Sequence, residues 1–282
     1  MFAMLRFKKD IPAENATLRH DIYGGDVYVT PPCTGSRKLV SYAKDMIRDI
    51  LNVTDIRRAH LELDEESFFT RIGKLRRTLY LAEDYHKLLF ATLAENGFDP
   101  ERMAFDPLRL RVICPDGHLN KKAAPVYFPH RDTWYAHPQC LIVYWTPLDD
   151  LEEEETFAIY PDYFDREVPN DSEVFHYDDW IKDGPDLKIG WQKQDSGMTA
   201  TYPRSAEGFA PGRDVGFSCP AAGQVFISGA HYHATRPQNT GKIRFSLDAR
   251  LVHLGDAAAG IGAPNADNRS TGDILKDYIK AA

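Results

Sequence analysis

The chain has 282 residues, 43% of them hydrophobic and 27% charged, with a formal net charge of -8. That length can bury a large core. The acidic balance excludes a general nucleic-acid or anionic-membrane surface, because both need a strong positive field. No stretch is long and apolar enough to span a bilayer, and the apolar run in MFAMLRFKKDIPAEN is too short for a signal peptide. Cys33, Cys114, Cys140 and Cys219 form no C-x-x-C pair, so free thiols in a reducing, cytoplasmic compartment are expected.

In chain order, DIYGGDVYVTPP reads as a turn and a short strand stopped by two prolines. From Ser36, the residues Leu39, Val40, Ala43, Met46, Ile47 and Ile50 fall on one helical stripe. The span DEESFFTRIGKLRRTLYLAEDYHKLLFATLAENGF predicts one or two more helices, stopping at Asn96-Gly97. After Asp106 the texture changes to short strand-like pieces: LRLRVIC, AAPVYF, CLIVYWTPL, TFAIYP, GFSCP, GQVFISGAHYHA and KIRFSLDARLVH. An insert at about 162–215 interrupts them, and its length and composition suit a lid or an oligomer contact. STGDILKDYIKAA predicts a closing helix capped by Ser270 or Thr271.

Helices followed by many short strands argue against a parallel α/β sheet. They predict a mainly β fold, a double-sheet jelly roll with the N-terminal helices packed outside. The expected organisation is one domain, with a helical part at about 1–105 and a jelly-roll core at about 106–255.

The stretch VYFPHRDTWYAHPQCLIVYWTPLDD sets His130 and Asp132 two apart, so an extended backbone aims both at one point. Each is costly to bury unless paired or bound. About a hundred residues later, His231 and His233 share a strand face, and either can supply a third ligand. Two histidines and a carboxylate on one side of a metal form the facial triad of non-haem Fe(II) oxygenases, which leaves positions free. A surface ion pair explains an isolated H-x-D equally well; the conjunction with a later histidine strand does not reduce to that. Arg244 stands eleven residues after His233, and its planar fork suits the far carboxylate of 2-oxoglutarate.

HRDTW…CLIVYWTPLDD and GQVFISGAHYHATRPQNTGKIRF resemble the iron-binding strands of the phytanoyl-CoA dioxygenase-like family of Fe(II)/2-oxoglutarate oxygenases, over about a third of the chain. The resemblance implies a double-stranded β-helix with Fe(II) on His130, Asp132 and His233. It implies that Arg244 holds 2-oxoglutarate, with Trp145 and Gln139 beside it, and that O2 and a small-molecule substrate are the other reactants. LEEEETFAIYP stands where the family often has Asn-Gly, Ala234 where Gly is frequent, and Gln238 adds a residue before Asn239. Related halogenases replace the carboxylate with a small residue so that chloride can bind. Asp132 therefore implies hydroxylation, desaturation or cyclisation.

Arg109 and Arg111 alternate with Leu108 and Leu110, and with Arg131, Arg236 and Lys242 they make the motif's surroundings basic. That suits an anionic substrate, although solvated strand-edge charges read the same way. Trp134, Tyr135, Tyr144 and Tyr232 are candidates for pocket walls or for core. His137 reads as a packed or metal-proximal histidine. Glu152 to Glu155 read as a solvated turn without the spaced ligands of a calcium loop. Two competing readings remain: a cupin-like metal enzyme that does not use 2-oxoglutarate, and a metal-free jelly-roll binding module. The oligomeric state is not encoded in any motif.

Overall fold

A computed structural model describes residues 5–120, 123–182 and 202–281. The N-terminal half supplies β1 (Phe7–Lys8), α1 (Asn15–Tyr23), β2 (Val27–Thr30), α2 (Thr34–Leu51), α3 (Ala59–Glu62), α4 (Glu65–Leu81) and α5 (Glu83–Glu95). The strand-rich half supplies β3 (Met103–Ile113), β4 (Ile142–Pro147), β5 (Phe157–Ile159), α6 (Tyr177–Lys182), β6 (Gln224–Ser228), β7 (His233–Thr235), β8 (Arg244–His253), α7 (Leu254–Ala259) and β9 (Ile279–Lys280).

Helix α2 forms on the predicted stripe, with Leu39, Val40, Ala43 and Ile47 buried. Its first turn is closed by a reciprocal cap. The Ser36 amide donates to the Cys33 thiol at 3.3 Å and the Cys33 amide donates to the Ser36 hydroxyl at 3.0 Å. Gly35 lets α2 lie against α5, because a Cβ there would stand 2.7 Å from the Thr92 Cα. Asp64 caps α4 by accepting from the Ser67 amide. The predicted stop at Asn96-Gly97 is real, with Gly97 at φ +78.

Seven strands form one sheet in the order β1-β2-β6-β4-β8-β3-β9, and β5 pairs with β7 in a second, smaller sheet. Among the described residues these strands all pair antiparallel except β1 with β2. Alternation sorts β8 into two faces. Phe245, Leu247, Ala249 and Leu251 join the apolar cluster that also contains α1, α2, α4 and α5. Arg244, Ser246, Asp248 and Arg250 point the other way, toward β5 and β7. Register aligns Arg109 and Trp145 with Asp248, so their side chains share that inner face. The result is a double-sheet jelly-roll core with helices on its outer face. No helix among the described residues is long and apolar enough to cross a membrane.

Several local expectations change. The first three residues of DIYGG are the last turn of helix α1, which buries only Leu18, Ile22 and Tyr23, and the turn itself is Gly24-Gly25. AAPVYF is a 3-10 turn at Ala124–Tyr127, with Pro125 in its first turn. GFSCP forms no strand of its own: Cys219 makes an isolated bridge to Leu151, and Val215, just before it, makes one to Ile159. The predicted closing helix is instead a 3-10 turn at Leu275–Asp277 followed by β9, which pairs with Ala104 and Phe105. Pairing with a sheet edge outweighs helix propensity over so short a segment. The insert is described at its two ends, and residues 183–201, where its centre falls, lie outside the described residues. All four cysteines are free.

Candidate metal centre

His130 and His233 face each other because their backbones do. The His130 amide donates to the His233 carbonyl at 2.9 Å, and the His233 amide returns a bond at 3.0 Å. This isolated antiparallel bridge brings the two rings to 4.6 Å. Asp132 follows at the start of a 3-10 turn, Asp132–Tyr135, rather than on the extended segment expected. One ligand atom from each of His130, Asp132 and His233 lies within 4.8 Å of the other two. They are the group of three metal-ligating side chains found among the described residues.

The ring nitrogens are already assigned. Nδ1 of His130 lies 2.8 Å from the Phe128 carbonyl, and Nδ1 of His233 lies 2.9 Å from the His231 carbonyl. A carbonyl only accepts, so both Nδ1 atoms carry the proton and both Nε2 lone pairs are left for a cation. Burial, then the neighbouring His233, pushes His130 down to about 3, which keeps its imidazole neutral. His231 is different. Its two nitrogens lie against the carbonyls of Ser228 and Gly25, and it is 1% exposed. His233, not His231, joins the cluster.

Asp132 is held by a residue that the motif did not reveal. Arg250 donates to Oδ1 through Nη2 at 2.6 Å and Nε at 2.9 Å. Oδ2 is left facing Nε2 of His233 at 3.8 Å. Burial alone would raise the Asp132 carboxyl, but the charge of Arg250 holds it well below the usual carboxylate range. One oxygen is thus occupied and the rotamer fixed, while the other is ionised and free.

The inner face of the large sheet forms the floor. Arg111 grips Asp248 with two bonds, at 2.7 and 3.0 Å, and Arg109 pairs with Asp106 at 2.6 Å. Both arginines thus carry acidic partners. Arg244 has none. Its Nη1 donates to the carbonyls of Thr156 and Glu155 at 2.7 and 3.0 Å, and its Nε is buried without a partner. Burial pulls this guanidinium down to about 10, with Arg111 contributing. The hydroxyl of Ser246, two residues on and on the same face, is also buried without a partner. An unpartnered guanidinium Nε on the same face as an unpartnered hydroxyl is a donor set that a carboxylate would satisfy.

Trp145 stacks edge-on against Phe157 at 5.5 Å, and Phe157 lies 5.8 Å from the His233 ring. Gln139 is not beside Arg244. It precedes Ile142, which pairs with Leu251 at the far end of β8, and its carbonyl accepts from Ala263. Trp134 and Tyr232 are both fully buried in a separate apolar cluster with Val168. The Trp134 indole donates to Asp267 at 2.7 Å. Tyr232, between two histidines in sequence, precedes β7 and packs against Tyr160 and Phe209. Both are core rather than pocket wall.

Tyr135 does lie at the centre, 5.5 Å from His130. Phe175 and Tyr202, from the two described ends of the insert, each pack on it at 5.9 Å, and Trp180 packs on both. Arg131 is enclosed, bound to Asp267 and to several backbone carbonyls including Ala230. Arg236 pairs with Asp214, and Lys242 is exposed. Tyr144 belongs to the outer face, against Phe226. His137 is packed, with Nδ1 2.6 Å from the Tyr278 hydroxyl.

The sequence reading missed Arg250, Asp248, Ser246, Phe175, Trp180 and Tyr202. A signal existed for the first three, because RFSLDAR alternates polar with apolar residues and sets Arg244, Ser246, Asp248 and Arg250 on one face.

No protein-family model matches the chain, and no curated protein does. Among solved structures it is similar to EvdO2 from Micromonospora carbonacea var. aurantiaca complexed with 2-oxoglutarate. That match has 13% identity and a TM-score of 0.47, and covers 87% of this chain and 94% of that one. It is also similar to the epimerase SnoN in complex with Fe3+, alpha ketoglutarate and nogalamycin RO, at 14% identity and a TM-score of 0.39, over 91% and 99% of the two chains. The apo non-heme monooxygenase ThoJ matches at 12% identity and a TM-score of 0.42, over 79% and 72%. Identities and scores this low assign no role to any residue of this chain.

Proposed function

We propose that the protein is a non-haem Fe(II)/2-oxoglutarate-dependent dioxygenase of the phytanoyl-CoA dioxygenase-like kind, hydroxylating a C–H bond of a small anionic metabolite. The observation that carries the reading is the pair of histidines whose Nδ1 protons are tied to backbone carbonyls, so that two Nε2 lone pairs and one free Asp132 oxygen converge. Three protein ligands on one side leave coordination positions for a chelating co-substrate and O2.

Each neighbouring residue has a task in this account. His130, Asp132 and His233 would hold Fe(II). Arg250 keeps Asp132 ionised and oriented. Arg244 and Ser246 would hold the far carboxylate of 2-oxoglutarate, with Trp145 as an apolar wall on the same face. Iron with its 2-oxo acid, when bound, supplies the activation of O2, with succinate and CO2 as co-products. Tyr135, Phe175, Trp180 and Tyr202 exclude water from the mouth, and Arg109 and Arg111 provide a positive rim for an anionic substrate. The cupin-like reading gives the orphaned Arg244 no task, and the binding-module reading gives none to the two free Nε2 atoms.

The test is calorimetric titration of the metal-free protein with Fe(II) under argon. Wild type should take up a single ion per chain, Asp132→Ala and His233→Ala none, and His231→Asn as much as wild type. Uptake that survives in His233→Ala but fails in His231→Asn would reverse the ligand assignment. No uptake by wild type would remove the enzyme reading.

A further inference from the structure

Arg131 stands between the two proposed ligands His130 and Asp132, on extended backbone at φ -110 and ψ 140. Extended backbone sends successive side chains to opposite sides, so the Arg131 guanidinium leaves the metal centre for the interior. It is 2% exposed there. Its Nε donates to Asp267 at 2.9 Å. Its Nη1 donates to the carbonyls of Ala230 and Phe164, and its Nη2 to those of Tyr163 and Arg166 at 2.6 and 2.7 Å. Every N–H of the guanidinium is thereby used.

These acceptors belong to three separate segments. Ala230 lies in the turn between β6 and β7, just ahead of His233. Tyr163, Phe164 and Arg166 open the insert, and Asp267 lies in the C-terminal segment, 136 residues from Arg131. The Asp267 carboxylate is as enclosed as its partner, at 1% exposed. Its Oδ2 accepts from Arg131 and from the Val168 amide, the latter at 2.9 Å, while its Oδ1 accepts from the Trp134 indole. Ser270 continues the lacing. Its hydroxyl accepts from the Ala136 amide at 2.9 Å and donates to the Thr133 carbonyl at 3.3 Å. Ala136 is at φ +61, a left-handed conformation that alanine rarely takes. The C-terminal segment therefore grips the metal-bearing turn along its length.

A buried ion pair is weak evidence for net stability. Its geometric consequence is firmer. Backbone bonds from His130 to His233 and from Thr133 to Gly229 already join the two ligand-bearing segments, and Arg131 adds a side-chain tie to Ala230. We propose that Asp267 is a positioning residue for the metal site, acting through Arg131 to hold the His130–Asp132 turn against the segment that carries His233. The inference rests on the metal reading above and gives the C-terminal segment a part in it.

The test titrates the metal-free full chain with Co(II), whose visible absorption reports both binding and coordination geometry. Asp267→Asn should weaken binding by about tenfold or more, the scale for losing a group that orients a metal ligand, and should alter the Co(II) spectrum at saturation. Trp134→Phe is the control, because it removes a bond to the other oxygen of the same carboxylate and leaves Arg131 alone. It should destabilise the fold, yet bind Co(II) with wild-type affinity and spectrum. Arg131→Lys keeps a charge facing Asp267 but has fewer donors than the site has acceptors, so its loss should be smaller than that of Asp267→Asn. Asp267→Asn that binds Co(II) like wild type would overturn the proposal. So would Trp134→Phe that loses as much affinity as Asp267→Asn, the signature of a carboxylate that only supports the fold. Should Asp267→Asn not fold, Arg131→Lys decides: weakened binding by a folded protein supports the tie, and unchanged binding overturns it. Wild type that takes up no Co(II) sinks the metal reading and this inference with it, whereas wild-type uptake matched by Asp267→Asn sinks this inference alone.

Discussion

Replacing Arg250 with Met tests the electrostatic frame of the metal centre. Arg250 and Asp132 are both more than nine-tenths buried, and two bonds of 2.6 and 2.9 Å link them. At a separation of roughly 3 Å and an effective dielectric of about 20, their attraction is about 5 kcal/mol. Arg250→Met strands the buried Asp132 carboxylate without its guanidinium, so the metal-free protein should lose about 3–5 kcal/mol, the usual cost of stranding a buried charge. Asp132→Asn is not the mirror image. Arg250 would still have Asp106 at 3.7 Å and Asp248 at 3.9 Å, so the loss should be about 1–2 kcal/mol, the scale of a missing hydrogen bond. The double variant should be more stable than the sum of the two losses implies, because no charge is left stranded. Urea denaturation of the four metal-free proteins measures the cycle. Equal single losses, or strict additivity, would refute the reasoning.

Two further outcomes follow from burial. His137 is held neutral in the fold, pushed well below its usual range by burial and then by Arg250. A depressed histidine contributes its full stability above its unfolded pKa of about 6.5 and loses it as pH falls below that value. Unfolding of the metal-free protein should therefore take up protons below about pH 6.5, and His137→Gln should lower the slope by up to about 1.36 kcal/mol per pH unit; an unchanged slope contradicts the assignment. Trp134→Phe strands one oxygen of buried Asp267 and should cost about 1.5–3 kcal/mol in denaturation while leaving Fe(II) affinity unchanged. A large change in metal affinity would return Trp134 to the pocket.

What could be read from the residues was whatever local periodicity encodes. The stripe of α2 and the stop at Asn96-Gly97 came from spacing and glycine alone, and the two faces of β8 were present in RFSLDAR. Helix α1 was not visible because only Leu18, Ile22 and Tyr23 mark its buried face, and no side chain caps its start. The choice between His231 and His233 stayed open because a continuous strand would put both on one face. In the fold, β6 ends at Ser228 and β7 begins at His233, so His231 falls in the turn between them and the alternation lapses. The tie between Arg250 and Asp132 spans 118 residues and depends on sheet register, which no local pattern specifies. Gln139 was placed beside Arg244 by resemblance, and the register of β4 on β8 puts the two at opposite ends. The C-terminal segment carried helix-forming residues, yet the exposed edge of β3 gave it a strand partner.

The central claim is that this fold presents Fe(II) with a chelating 2-oxo acid anchored on Arg244. Anaerobic addition of Fe(II) and then 2-oxoglutarate, followed by visible absorption, tests it most directly. The account predicts the weak metal-to-ligand charge-transfer band of an Fe(II)–2-oxo acid chelate in wild type, its absence in Asp132→Ala and His233→Ala, and a much higher 2-oxoglutarate requirement in Arg244→Ala. Iron uptake by wild type without that band at any 2-oxoglutarate concentration would contradict it.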